Sequence, residues 1–144
     1  METTFDRGVI NVDMELTRQF YLNQPSVIAD CSCSDCVFFF ENVIHRPFEI
    51  FKILRDFGVD LGKNLDSEPT GAWCVRDDHG ELIHCDQNYQ IFGKIDCWEK
   101  SELNYSKFED GWIVNARFRQ LNPDNISVAL NVDRLSDENE IKKY

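Results

Sequence analysis

Between residues 72 and 132, several separate runs place apolar residues at every second position, and this rhythm constrains the fold more than any other feature of the chain. Ala72 to Arg76 and Glu81 to Cys85 flank Asp77-Asp78-His79-Gly80, whose composition suits a hairpin turn. Tyr89, Ile91, Gly93, Ile95 and Cys97 alternate next, with Gly93 marking a bulge or a close approach. Residues 99 to 111 read as a charged connection, after which Trp112, Val114, Ala116 and Phe118 pattern another strand. Asn122-Pro123-Asp124-Asn125 then turns the chain into Ile126, Val128, Leu130 and Val132. The same rhythm near the start, with Ile10, Val12, Met14 and Leu16 opposite Asn11, Asp13, Glu15 and Thr17, predicts a half-buried strand over residues 9 to 18.

Between these runs the period changes. Ser34 is placed to cap a short helix with Val37, Phe40 and Ile44 on its apolar side, ended by His45-Arg46-Pro47. Pro47 suits the first turn of a second helix, whose stripe is Phe48, Phe51, Leu54 and Phe57 with Ile50 beside it. Gly58 stands just beyond, where a positive φ closes the last turn. Phe38, Phe39 and Phe40 cannot all face one helix core, so at least one covers the sheet, the cysteine turn or a subunit interface. Strand, helices and then several strands predict an α+β fold: a mainly antiparallel sheet with two short consecutive helices packed on one face or end.

At 144 residues the chain has the size of one domain, read as residues 1–132 with a polar tail over 133–144. Its formal net charge of -11, without a dense basic patch, argues against nucleic acid and anionic membrane as partners. The most intense apolar run, Val37-Phe38-Phe39-Phe40, is far shorter than a bilayer span, and the N-terminus does not read as a signal peptide. A cytoplasmic location is the default expectation, which favours reduced thiols or metal thiolates over disulfides for the six cysteines.

Cys31, Cys33 and Cys36 form a CxCxxC pattern, in which one turn can gather soft sulfur ligands around zinc or an iron–sulfur centre. A tetrahedral site needs a fourth ligand. Cys74, Cys85 and Cys97 offer sulfur, while His84 and His45 offer nitrogen. With Asp78 and His79 central in the hairpin, Cys74 opposes Ile83 and Ala72 opposes Cys85, so both cysteines share a face with His84 on the other. Cys85 is the first choice for a structural zinc site; simple packed thiols are the competing reading. Cys33-Ser34-Asp35-Cys36 is also a CxxC at a helix start, which suits a thiol–disulfide oxidoreductase or redox sensor, although Asp30 and Asp35 oppose thiolate formation.

The segment DCSCSDC, followed by Leu54-Arg55-Asp56-Phe57-Gly58-Val59-Asp60 and Tyr89-Gln90-Ile91-Phe92-Gly93, resembles a group of small uncharacterised bacterial proteins. The resemblance covers about residues 9 to 97 and implies a grouping, with no catalytic role attached. No spacing selects a catalytic set, and His79 reads as a solvated turn residue. A metal-dependent hydrolase built on His84 and nearby acids is a third reading. The expectation is a small acidic interaction or accessory protein, with a protein partner or a second copy of itself.

Overall fold

The computed structural model describes residues 1–5, 7–27, 33–65, 72–97 and 102–135. It is an α+β fold in which one antiparallel seven-stranded sheet carries a few short helices. The strands are β1 (Glu2–Phe5), β2 (Gly8–Val12), β3 (Trp73–Arg76), β4 (Leu82–Cys97), β5 (Glu102–Glu109), β6 (Trp112–Asn122) and β7 (Asn125–Arg134). Their order is β1-β2-β4-β7-β6-β5, with β3 also paired to β4. The helices are α1 (Met14–Leu22), α2 (Ser34–Phe38), which runs on into a π-helical turn at Phe39–Val43, and α3 (Glu49–Asp56).

The strand expected over residues 9 to 18 ends at Val12, and helix α1 begins at Met14. The switch is local chemistry. Asp13 caps the helix, its carboxylate accepting from the Leu16 amide, while the Thr17 hydroxyl donates to the Asp13 carbonyl. Leu16 consequently points to solvent instead of joining Ile10 and Val12 in the core. The charged connection expected over 99 to 111 also contains a strand, β5, joined to β6 by Asp110-Gly111. Both residues have positive φ, 44° and 86°, as a two-residue hairpin loop with the right twist requires. In α2 Cys33, rather than Ser34, is the cap. The π turn shifts the buried positions to Cys36, Phe39 and Val43 with Ile44, while Val37 and Phe40 are only half-buried. Helix α3 buries Ile50, Phe51 and Leu54 and closes on Gly58 at φ 97°, with Phe48 as its cap and Pro47 just outside it.

Alternation assigns the two faces of the sheet. Tyr89, Ile91, Phe118, Val128 and Leu130 line the inner face under the helices and the segment after α3. Tyr89 anchors that segment by donating from its hydroxyl to the Leu61 carbonyl at 2.8 Å, and Gln87 donates to Asn64 at 3.1 Å. On the opposite face His84, Asp86, Asn115, Asn131 and Asp133 are half-buried or polar, as an antiparallel sheet with one wet side allows.

One edge of β4 is shared. β3 pairs with residues 82 to 86, and β2 with residues 93 to 97. In the gap between them, side chains take the place of a strand. The Tyr21 hydroxyl donates to the Gln90 carbonyl and accepts from the Gln90 amide, both at 2.8 Å. The Thr17 hydroxyl accepts from the Phe92 amide, and the Phe92 carbonyl accepts from the Asp13 amide. Beyond the start of β7, the Gln120 amide group similarly holds the Ile95 amide and the Gly93 carbonyl. Gly93 permits the close approach of β2, since a Cβ there would lie 2.3 Å from the Asn11 carbonyl oxygen.

Tyr21→Phe leaves the buried Gln90 amide and carbonyl without their partner and should lower stability by about 2–3 kcal/mol in urea unfolding. Gly93→Ala should cost about 2–3 kcal/mol in the same measurement, because backbone rather than a flexible side chain must yield.

Candidate functional site

The β3–β4 hairpin carries the chemistry-bearing residues, and its two faces do different things. The turn is built by Asp77, whose carboxylate accepts from the amides of His79 and Glu81 and pairs with Arg134 at 3.0 Å. The Glu81 amide, then Arg134 and the His79 amide, hold the Asp77 carboxyl below its ordinary pKa. The hairpin closes on Asp77 and Glu81 with three residues in its loop, and a register shift between Val75 and Arg76 adds one more, so Cys74 lies directly opposite Cys85 instead of opposite Ile83, as a two-residue turn at Asp78-His79 would place it. His79 is exposed in the turn.

On the inner face the Cys74 and Cys85 sulfurs lie 3.5 Å apart, both buried. Helix α2 packs over them. The Asp35 carbonyl is 3.8 Å from the Cys74 sulfur, and Arg76 reaches Asp35 at 3.1 Å and Ser34 at 3.3 Å. Arg76 also stands 4.9 Å over the Phe38 ring, while Phe39 is fully buried and Phe40 packs against Gly62. The hydrogen bond with Cys85 draws the Cys74 thiol below its ordinary pKa, helped by Arg76 and His84 and opposed by burial and Asp35. The Cys85 thiol is pushed up by its bond to Cys74 and by burial.

The expected ligand set is only partly brought together. Cys31 lies outside the described residues. Cys33 is exposed, its sulfur accepting from the Cys36 amide at 3.4 Å, and Cys36 is buried on α2. Cys85 is beside Cys74, and it is the Cys74 sulfur that lies 3.8 Å from the Asp35 carbonyl. Cys97 pairs with Gly8 at the far end of β4, twelve residues from Cys85, roughly 40 Å away along a straight strand. His45 is exposed after the π turn. Among the described residues no group of three His, Cys, Asp or Glu side chains is arranged to hold a metal ion.

His84 belongs to the outer face, away from the thiols. Its Nδ1 is 2.6 Å from Asp133 Oδ1 and its Nε2 is 2.8 Å from Asp86 Oδ2. Only the imidazolium can donate from both nitrogens, so this geometry selects the charged ring and leaves no lone pair for a metal. Burial opposes the charge, but the two carboxylates outweigh it and raise the pKa above 6.5. The second Asp86 oxygen, Oδ1, is buried and has no hydrogen-bond partner among the described residues. Trp73 packs edge-on against the imidazole at 5.4 Å, yet 56% of its surface is exposed. The sequence signal for this arrangement was His84-x-Asp86, which places both side chains on one strand face. Asp133 joins only through the β4–β7 register, where it is the direct partner of His84.

A separate concavity of about 360 Å³ lies between α1 and the end of α3, with Arg18 and Arg55 among its lining residues. Its Tyr21 hydroxyl is committed to Gln90, and Arg55 donates to the Ile44 carbonyl at 2.5 Å. Among the described residues no helix is long and apolar enough to cross a membrane.

Because the folded-state pKa of His84 is raised, its contribution to stability is complete below about pH 6.5 and fades as pH rises through the folded value. His84→Gln should therefore remove a component of destabilisation between neutral and mildly alkaline pH, read as a flatter dependence of the urea midpoint on pH.

No family model matches the chain, and neither the curated proteins nor the solved structures contain a match.

Proposed function

We propose that this chain is a small acidic interaction or accessory protein, and that the outer face of the β3–β4 hairpin is the surface it offers to a basic protein partner. The observation that carries the reading is Trp73, a large aromatic left 56% exposed beside carboxylates on a chain of net charge -11. An exposed indole accepts a cation over its ring, and Asp86 and Asp133 supply opposite charge beside it. Placing these groups on paired strands fixes their spacing before binding and limits the entropy lost on docking. The grouping with small bacterial proteins that share the cysteine segment, and a cytoplasmic location, belong to the same proposal; a homo-oligomer would place a basic segment of a second copy on this face.

An arginine-rich peptide titrated into the protein should change its tryptophan fluorescence, with the change lost in Trp73→Ala and weakened about tenfold in Asp133→Asn. Binding that is indifferent to Trp73→Ala would remove this face from consideration. Affinity should also fall as salt is raised, since the carboxylates are partly open to solvent and their attraction is screened.

A second reading has its own observation. The contact of the Asp35 carbonyl with Cys74 brings the cysteine turn onto the hairpin thiols, and supports a structural zinc held by Cys31, Cys33, Cys36 and Cys85. Protein purified without added metal should then contain close to one zinc per chain and unfold when the metal is chelated. Metal at background level would retire that reading. The thiol–disulfide alternative on Cys33 and Cys36 finds support in the exposed Cys33 sulfur facing the Cys36 amide, an arrangement that favours a thiolate.

A further inference from the structure

We infer that Cys74 and Cys85 are a modification site: a pair of strand-opposed thiols that a peroxide converts to a reversible cross-strand disulfide. The inference starts from backbone geometry. At Gln90 and Phe92 the N–H and C=O groups of β4 point toward the shared edge, where Tyr21, Thr17 and Asp13 meet them. The β4–β7 register runs without a shift from His84 to Phe92, so the alternation carries back along the strand. His84 and Asp86 therefore face β3 with their backbone groups, and Cys74 with Cys85 is a non-hydrogen-bonded pair. In such pairs the Cα atoms are about 4.5 Å apart and the side chains approach most closely, within the span that a disulfide bridges. The sulfurs at 3.5 Å already point at one another.

The two thiols are not equivalent. Cys74 is 6% exposed on a strand whose other edge has no described strand partner, whereas Cys85 is fully buried. The Cys74 thiolate attacks one peroxide oxygen; the O–O bond breaks, and the leaving hydroxide takes up a proton to become water. Cys74 is then a sulfenic acid. The Cys85 sulfur attacks the Cys74 sulfur, the S–S bond forms and the S–O bond breaks, and the departing hydroxide leaves as water with the Cys85 proton. One peroxide and two thiols thus become one disulfide and two waters. The Cys74 S–H is consumed, so the hairpin loses its donor to the Asp35 carbonyl on the cysteine turn.

The test treats the folded full-length protein with dilute hydrogen peroxide, blocks remaining thiols under denaturing conditions, and maps tryptic peptides by mass. Trypsin cuts after Lys63, Arg76 and Lys94, so the bond should join peptide 64–76 to peptide 77–94. That species should lose the mass of two hydrogens relative to its separate parts and fall apart with dithiothreitol. Cys85→Ser should instead accumulate a dimedone adduct on Cys74. Recovery of Cys74 and Cys85 as separately blocked peptides would overturn the inference, as would linkage of either to Cys33 or Cys36. Zinc is measured on the same sample: a zinc-loaded protein whose Cys74 and Cys85 resist the oxidant also counts against it. The map of unmutated protein decides the matter whether or not the variant folds.

Discussion

The long strand β4 makes a demand that the rest of the molecule is arranged to meet. Sixteen residues of backbone present hydrogen-bonding groups on both edges, while two short strands, β2 and β3, cover only the two ends of one of them. Buried amides and carbonyls left open in the gap would each cost on the order of 1–3 kcal/mol. Helix α1 closes it with Asp13, Thr17 and Tyr21, and Gln120 performs the same office where β7 stops short. These contacts explain why an apparently strand-like segment turns helical at Met14. A helix can lay hydroxyl groups along a strand edge where another strand would have had to continue beside β3.

The same arrangement places the chemistry. Because β3 sits at one end of β4 and is bulged at Val75/Arg76, the hairpin aligns cysteine with cysteine on its inner face. On its outer face it sets His84 between two acids. The inner face is dry and covered by α2, so its thiols interact with each other and with a carbonyl. The outer face is wet, so its imidazolium and carboxylates form a charged surface under an exposed indole. A single two-stranded element thereby separates the paired thiols from the acid–histidine–acid row by one sheet thickness.

Much of the fold was legible in the alternation. Hairpins at Asp77–Gly80 and Asn122–Asn125, the core rows of β6 and β7, and the α3 stripe closing on Gly58 all follow from residue periodicity and turn chemistry. Strand β5 was missed, because the charges along it read as a connection although Asp110-Gly111 suits a hairpin loop. Lys107 faces the helix layer and is paired there with Glu49 at the start of α3, so a charge that reads as loop composition is an inter-element tie. The π turn was not legible. It arises where Phe39 and Val43 both reach the core, and the extra residue per turn breaks the spacing that a regular helix would show.

The candidate site divides along the same line. The sequence itself determined the α+β class, the His84-x-Asp86 pairing on one strand face and the acidic balance, because periodicity, neighbouring residues and composition suffice for them. Tertiary structure alone decided that Cys74 meets Cys85, that Cys97 is at the opposite end of the strand, and that Asp133 completes the acid–histidine–acid row. Those outcomes depend on a bulge and on strand register. One residue of register exchanges the faces of a strand, whereas the alternating pattern that names the strand remains unchanged.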